Sequence, residues 1–125
     1  PGAREALAEI RSRGLITIIV SNANGRLHAL LDRLDLTPYF DVIVDSFVER
    51  VEKPDPRLFQ IAMARANAVA DRTLHVGDLY HVDVAGARAA GMHPLLIDPA
   101  DLYSNADCPR VRSMADVPRY LFEPL

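Results

Sequence analysis

Four groups in this chain could act together on an anion. Ser21-Asn22 offers a hydroxyl and an amide, Lys53 an ammonium, and Asp78 and Asp83, spaced as Gly-Asp-x-x-x-x-Asp, two carboxylates. Hydroxyl and N–H donors and a lysine hold phosphoryl oxygens and offset their charge. Two carboxylates that converge make a site for a hard cation such as Mg²⁺. Taken one at a time the groups are ordinary. A Ser-Asn pair after a strand is a common cap or turn, a lysine before proline is a common solvated loop residue, and Asp83 would also serve as a helix N-cap. In combination they are the parts that a phosphoryl-transfer site requires.

The elements that must carry these groups follow from apolar spacing. Ala3, Ala6, Leu7 and Ile10 fall at helical intervals, and Gly14 can take the left-handed conformation that ends a helix. Residues 15–20 are apolar or β-branched throughout, the pattern of a strand buried on both faces of a parallel sheet. Leu27, Leu30, Leu31 and Leu34 put one apolar stripe on a helix over 25–34. A second strand spans 42–44. Residues 46–53 read as irregular, because Pro54 and Pro56 bar continuation into either regular state. Asp55 then caps a helix opened by Pro56 whose buried stripe is Phe59, Ala62, Met63 and Ala66. Strands at 73–76 and 93–97 flank an alanine-rich helix over 83–90, and a short helix is expected at 115–122. This alternation predicts an α/β fold with a doubly wound parallel sheet. One domain fills 1–125, a core to about 98 and a loop-rich tail. Ligands of such sheets sit beyond the carboxyl ends of the strands, where Ser21-Asn22, the Lys53 loop and Gly77-Asp78 fall.

Composition narrows the class. With 125 residues, 50% apolar and 25% charged, the chain has the make-up of an ordinary globular domain. A net charge of −3 gives no electrostatic footprint for nucleic acid, and no apolar run approaches bilayer length. No lysine or arginine run suggests a membrane surface. Cys108 is the single cysteine, so neither a disulfide nor a cysteine zinc site can form within one chain, and a reducing cytoplasm fits. The expected partner is a small molecule, and the sequence leaves room for a homodimer. His28, His75, His81 and His93 show no ligand spacing on a shared face. His81, with Tyr80, lies inside the Asp78–Asp83 loop and reads as solvent-facing.

The wording of the motifs resembles the haloacid dehalogenase-like superfamily, phosphatase-type subfamily I, over the first 98 or so residues. Ile18-Ile19-Val20-Ser21-Asn22 is similar to the family's second motif, in which the serine hydroxyl and the following N–H bind phosphate. Val51-Glu52-Lys53-Pro54-Asp55-Pro56 is similar to the third, whose lysine neutralises nucleophile and transferring group. His75-Val76-Gly77-Asp78 with Asp83, and the following Gly86 to Met92, are similar to the fourth, which holds Mg²⁺. The resemblance implies a Rossmann-like core and Mg²⁺-dependent hydrolysis of a small phosphomonoester through an aspartyl-phosphate. It makes Ser21 and Lys53 catalytic, places Ser21, Asn22 and Lys53 on the phosphate, and puts Asp78 directly on the metal with Asp83 acting through water or orienting its neighbours.

One part of the pattern is missing. The family's nucleophile is the first aspartate of an Asp-x-Asp motif on an earlier strand, and no Asp-x-Asp occurs here. That strand lies between the Ser21 and Asp78 strands in the family's sheet, so the core is expected to be incomplete at its N-terminal strand. The motif and a helical cap are expected upstream of Pro1, and this chain alone is expected to be inactive. Without the strand, its two neighbours must pair with each other or leave unpaired edges. Three other readings compete. A metal-free 2-haloacid dehalogenase would share Ser21-Asn22 and Lys53 but has no use for Gly77-Asp78. A noncatalytic binding or dimerisation domain is favoured by the missing motif. A receiver-type signalling domain fits the chain order poorly.

Overall fold

The computed structural model of the chain describes residues 2–123, and in it helices alternate with parallel strands as the apolar pattern predicts. Helix α1 (Ala3–Ser12) buries Ala6, Leu7 and Ile10, and Gly14, at φ 84°, releases the chain toward the first strand. Strand β1 (Ile18–Ser21) pairs in parallel with β2 (Val42–Asp45), Ile18 opposite Val42 and Ser21 opposite Asp45. Between them α2 (Leu27–Arg33) turns Leu27 and Leu31 inward. Helix α4 (Pro56–Ala66) starts where expected, with the Asp55 carboxylate accepting from the Arg57 N–H at 2.9 Å. Strands β3 (Leu74–Gly77), β4 (His93–Ile97) and β5 (Arg110–Val111) form a second parallel group. Helix α6 (Val117–Phe122) closes the described chain. Among the described residues no helix is long and apolar enough to cross a membrane.

Four local expectations need correction. The first strand begins at Ile18, and Leu15 and Ile16 are exposed. The chain enters it through Thr17, whose N–H donates to the Asp41 carboxylate at 2.8 Å and whose hydroxyl donates to the Tyr39 carbonyl at 2.6 Å. Those polar ties, invisible to apolar periodicity, set the start. Residues 46–53 contain a short helix, α3 (Ser46–Glu49), capped by the Asp45 carboxylate accepting from the Phe47 N–H. The alanine-rich helix is α5 (Ala85–Ala89), entered through a π-helical turn at Tyr80–Val84 that takes in Asp83. Finally, the tail adds β5, which reading 99–125 as loop with one helix did not foresee.

Apolar packing holds the layers together through α4. Its Leu58 and Ala62 pack with Val44, and Ile18, Val20 and Val42 complete that cluster on the β1–β2 pair. One residue round the helix, Phe59 and Met63 meet Ala87 and Met92 on the β3–β4 side. On another face Ile10 of α1, Leu95 and Val117 pack with Leu74 and Val76. The helix α4 therefore spans both strand groups, which are not hydrogen-bonded to one another.

That break is the architectural feature that matters for function. Of the two outcomes expected for a core without its central strand, the structure takes the second: β1 and β3 stand apart with their facing edges unpaired. Between them lies a cavity of about 80 Å³ lined by Ile18 and Val20 from one side, Leu74 and His75 from the other, and Phe59 and Met63 from α4. All residues of β1 and β3 are only half-buried, against the expectation that β1 is covered on both faces.

Candidate active site

Asn22, Lys53, Asp83 and the backbone of Asp78 are linked by a chain of hydrogen bonds, and Ser21 directly precedes Asn22 at the end of β1. Asn22, just past β1, clamps the backbone of Lys53: its Oδ1 accepts from the Lys53 N–H at 2.8 Å and its Nδ2 donates to the Lys53 carbonyl at 3.1 Å. A side-chain amide can do both at once because it carries an acceptor and a donor side by side. The Lys53 ammonium then reaches Asp83 Oδ1 at 2.8 Å, with only 12% of its side chain and 4% of the aspartate's exposed. Asp83 Oδ2 in turn accepts from the N–H groups of Asp78, at 3.2 Å, and Leu79, at 3.1 Å. The segments after β1, β2 and β3 are thus tied to one point.

Asp83 is fully engaged. Besides Lys53, its Oδ1 lies 2.9 Å from His75 Nε2, so that nitrogen carries the hydrogen and donates. The His75 ring is fixed edge-on against Phe59, centroids 4.7 Å apart. Burial alone would raise the Asp83 pKa. The hydrogen bonds from His75 and Lys53, the lysine charge and the Leu79 N–H outweigh it and hold the carboxyl well below the usual carboxylate range. The packing allows no slack: a Cβ added at Gly77 would lie 2.1 Å from Asp83 Cγ, and one at Gly86 would lie 2.7 Å from Phe59 and 3.1 Å from Pro54 Cα. Both glycines are there because neighbours fill the space a side chain would need.

Two groups stay open. The Ser21 hydroxyl and the Asp78 carboxylate make no hydrogen bond or ion pair among the described residues, and Asp78 is exposed. The described residues contain no cluster of three or more His, Cys, Asp or Glu able to hold a metal ion. The donor set still suits a shared Mg²⁺, which needs only one or two protein carboxylates beside water and phosphate oxygens. Asp78 is the carboxylate available for this, since both oxygens of Asp83 are occupied by protein donors.

The sequence reading passed over three residues that shape the site. His75 was considered as a metal ligand and its place beside Asp83 was not foreseen, because only the strand pleat and the π-helical turn bring positions 75 and 83 together. Asp45 and Ser46 end β2 as a buried polar pair. The Asp45 carboxylate accepts from the N–H groups of Gly25, Leu27 and Phe47, and Ser46 Oγ accepts from the Ala23 N–H at 2.9 Å. Together they fix the loop that follows Ser21-Asn22. Polar residues at the carboxyl end of β2 were the available signal. Of the two loop residues considered, Tyr80 is bonded to Asp107 and Arg88, while His81 is exposed. Cys108 is a half-buried free thiol.

Comparison with known proteins agrees with this arrangement. The family model for haloacid dehalogenase-like hydrolases matches residues 1–91, and the chain belongs to that family. It is 42% identical over 96 residues to haloacid dehalogenase-like hydrolase domain-containing protein 3 of Homo sapiens, covering 77% of this chain and 38% of that protein. It is 34% identical over 120 residues to a ribulose-1,5-bisphosphate 5-phosphatase of Halopiger xanaduensis, covering 93% of this chain and 50% of the relative. Among solved structures, a HAD phosphatase from Thermococcus onnurineus superposes with a TM-score of 0.92 at 25% identity, over 98% of this chain and 57% of that one. The chain therefore spans about two-fifths to one-half of the curated relatives quoted.

Proposed function

We propose that this chain is the larger part of the catalytic core of a Mg²⁺-dependent phosphomonoester hydrolase acting on a small phosphorylated substrate. The observation that carries the reading is the buried Lys53–Asp83 pair at 2.8 Å, joined to Asn22 on one side and to the Asp78 loop on the other. A phosphate ester is anionic and repels a carboxylate nucleophile, so attack requires a fixed cation at the phosphoryl group. Lys53 is held in place before substrate arrives, its ammonium oriented by Asp83, and Asp83 is held by His75 and two N–H groups. Ser21 and the Asn22 N–H would hold the phosphoryl oxygens, and Asp78 would bind Mg²⁺, which supplies charge neutralisation when present. Asp83 acts as a positioning residue. Relatives bearing phosphatase names, among them a glyceraldehyde 3-phosphate phosphatase of Pyrococcus furiosus at 32% identity, support the substrate class.

In this reading the nucleophile is the first aspartate of an Asp-x-Asp motif, which residues 1–125 do not contain. An extended segment ending in Asp-x-Asp and lying between β1 and β3 would pair with both free edges and bring its first carboxylate to the rim that holds Lys53. That oxygen would attack phosphorus as the ester P–O bond breaks. The second aspartate would protonate the leaving oxygen, and water would then hydrolyse the aspartyl-phosphate to inorganic phosphate. The cytoplasm is the proposed location.

The test is an assay of the full-length protein on p-nitrophenyl phosphate and on 2-chloropropionate. Phosphate release that needs Mg²⁺, stops with EDTA and falls at least about a hundredfold in Lys53→Met is the expected result. Chloride release without metal would replace this reading by a dehalogenase. No turnover of either substrate would favour a noncatalytic domain.

A further inference from the structure

Next in the chain to the proposed phosphate site is a second, unassigned depression, open to solvent and lined by Asn24, Gly25, Arg26, Phe47, Val48 and Arg50. It opens between the loop that follows β1 and helix α3, starting two residues beyond Asn22 in the chain. Its wall is apolar and left in water, with Phe47 69% and Val48 61% exposed. Its charges are both positive. Neither Arg26 nor Arg50 makes an ion pair or side-chain hydrogen bond among the described residues, while Arg57 and Arg65 nearby are paired with Asp55 and Glu49. Two of the three acids nearest in the chain are engaged: Glu49 is turned to Arg65 at 2.8 Å, and Asp45 is buried on the N–H groups of Gly25, Leu27 and Phe47, while Glu52 is exposed and makes no ion pair with either arginine.

The backbone gives an independent sign. Four non-glycine residues have positive φ, namely Asp35, Arg50, Asn67 and Asp101. Asp and Asn tolerate the left-handed region because their short polar side chains bond locally; a long arginine has no such compensation. At φ 62° and ψ 30°, ending α3, glycine would be the unstrained choice for position 50. A residue kept in an unfavourable conformation points to use of its side chain. Gly25 completes the design, since a Cβ there would lie 2.9 Å from the Phe47 ring that walls the hollow.

The geometry points to a leaving-group subsite in which Arg26 and Arg50 bind a second anionic group, a carboxylate or phosphate, on a small phosphate ester whose carbon chain lies against Phe47. This assignment deepens the proposed function and rests on Ser21, Asn22 and Lys53 holding the first phosphate. Substrates with one anionic end would bind less well than those with two.

Two phosphonates of similar length test it, butylphosphonate with an apolar end and 4-phosphonobutyrate with a carboxylate. Each is titrated into the chain while backbone N–H signals of Ser21, Asn22 and Lys53 and the arginine Nε–H signals are followed by NMR. The expected result is about tenfold tighter binding of 4-phosphonobutyrate, the effect of one charged hydrogen-bonded contact. Arg50→Gly, which removes the charge and relieves the backbone, and Arg26→Gln should each abolish that advantage and leave butylphosphonate binding unchanged, without lowering the melting temperature. Equal affinity for the two probes overturns the subsite, as does an advantage that survives both substitutions. If the arginine signals respond while Ser21, Asn22 and Lys53 do not, the phosphate-site reading fails and the leaving-group assignment falls with it, although Arg26 and Arg50 bind an anion. If none respond, both fail.

Discussion

Replacing Asp83 by asparagine removes one charge at the point where the site is tied together. The carboxylate accepts from Lys53 at 2.8 Å, His75 at 2.9 Å and the N–H groups of Asp78 and Leu79 at 3.2 and 3.1 Å. Asparagine has one acceptor oxygen, so it can keep either the Lys53 and His75 side or the two-amide side, and its NH₂ then faces donors. Losing two acceptor contacts, one of them to a buried ammonium, should cost about 3–5 kcal/mol. Because the penalty comes largely from stranding the Lys53 charge, Lys53→Met in the same background should recover part of it, with a coupling of about 2 kcal/mol in the double-mutant cycle. The cost also depends on pH. The folded state holds the Asp83 pKa below its unfolded value, so the stabilisation is complete above the unfolded pKa of about 3.9 and is lost as pH falls through the folded value. Urea unfolding followed by circular dichroism should therefore show the gap between wild type and Asp83→Asn constant at pH 6–7 and narrowing below about pH 4. Additive single costs, with coupling under about 0.5 kcal/mol, or a gap that does not narrow in acid, would refute the assigned network.

Two further outcomes follow from packing and pairing. Gly77→Ala would push a Cβ to 2.1 Å from Asp83 Cγ, so it should lower stability by at least about 2 kcal/mol in a thermal melt. A neutral result there would mean that Asp83 moves freely and does not position Lys53. In β1 and β3 the N–H groups that point into the cavity have no strand partner, so their hydrogens should exchange much faster than those bonded toward β2 and β4. Equal protection on both sides in this chain, measured by hydrogen exchange, would show the cavity closed, and with it the slot proposed for the incoming strand.

Much of this molecule was legible from residue types and spacing. The alternating helical and strand periods gave the parallel α/β class because each period records which side of an element meets the core. Asp55-Pro56 marked the start of α4 because side-chain capping and the missing proline N–H are local effects. Serine at the end of one strand, lysine in the segment after the next and the aspartate pair after the third all lay on the carboxyl side of strands, where such sheets bind ligands. Their types alone limited the chemistry to holding an anion and a hard cation.

What only the tertiary structure decided is which of those groups touch one another. The family resemblance gave Asp78 and Asp83 different roles, and folding supplies different contacts: it leaves Asp78 exposed and open while it buries Asp83 among four donors. That difference arises because the π-helical turn aims Asp83 at Lys53, thirty residues earlier in the chain, a contact that no local preference encodes. His75 joined the site in the same way, through contact between residues on a strand and a turn. The separation of the strands into two groups also lies beyond periodicity. A strand's pattern records burial of its faces and says nothing of whether its edges find partners, because edge pairing depends on which other segment lies alongside.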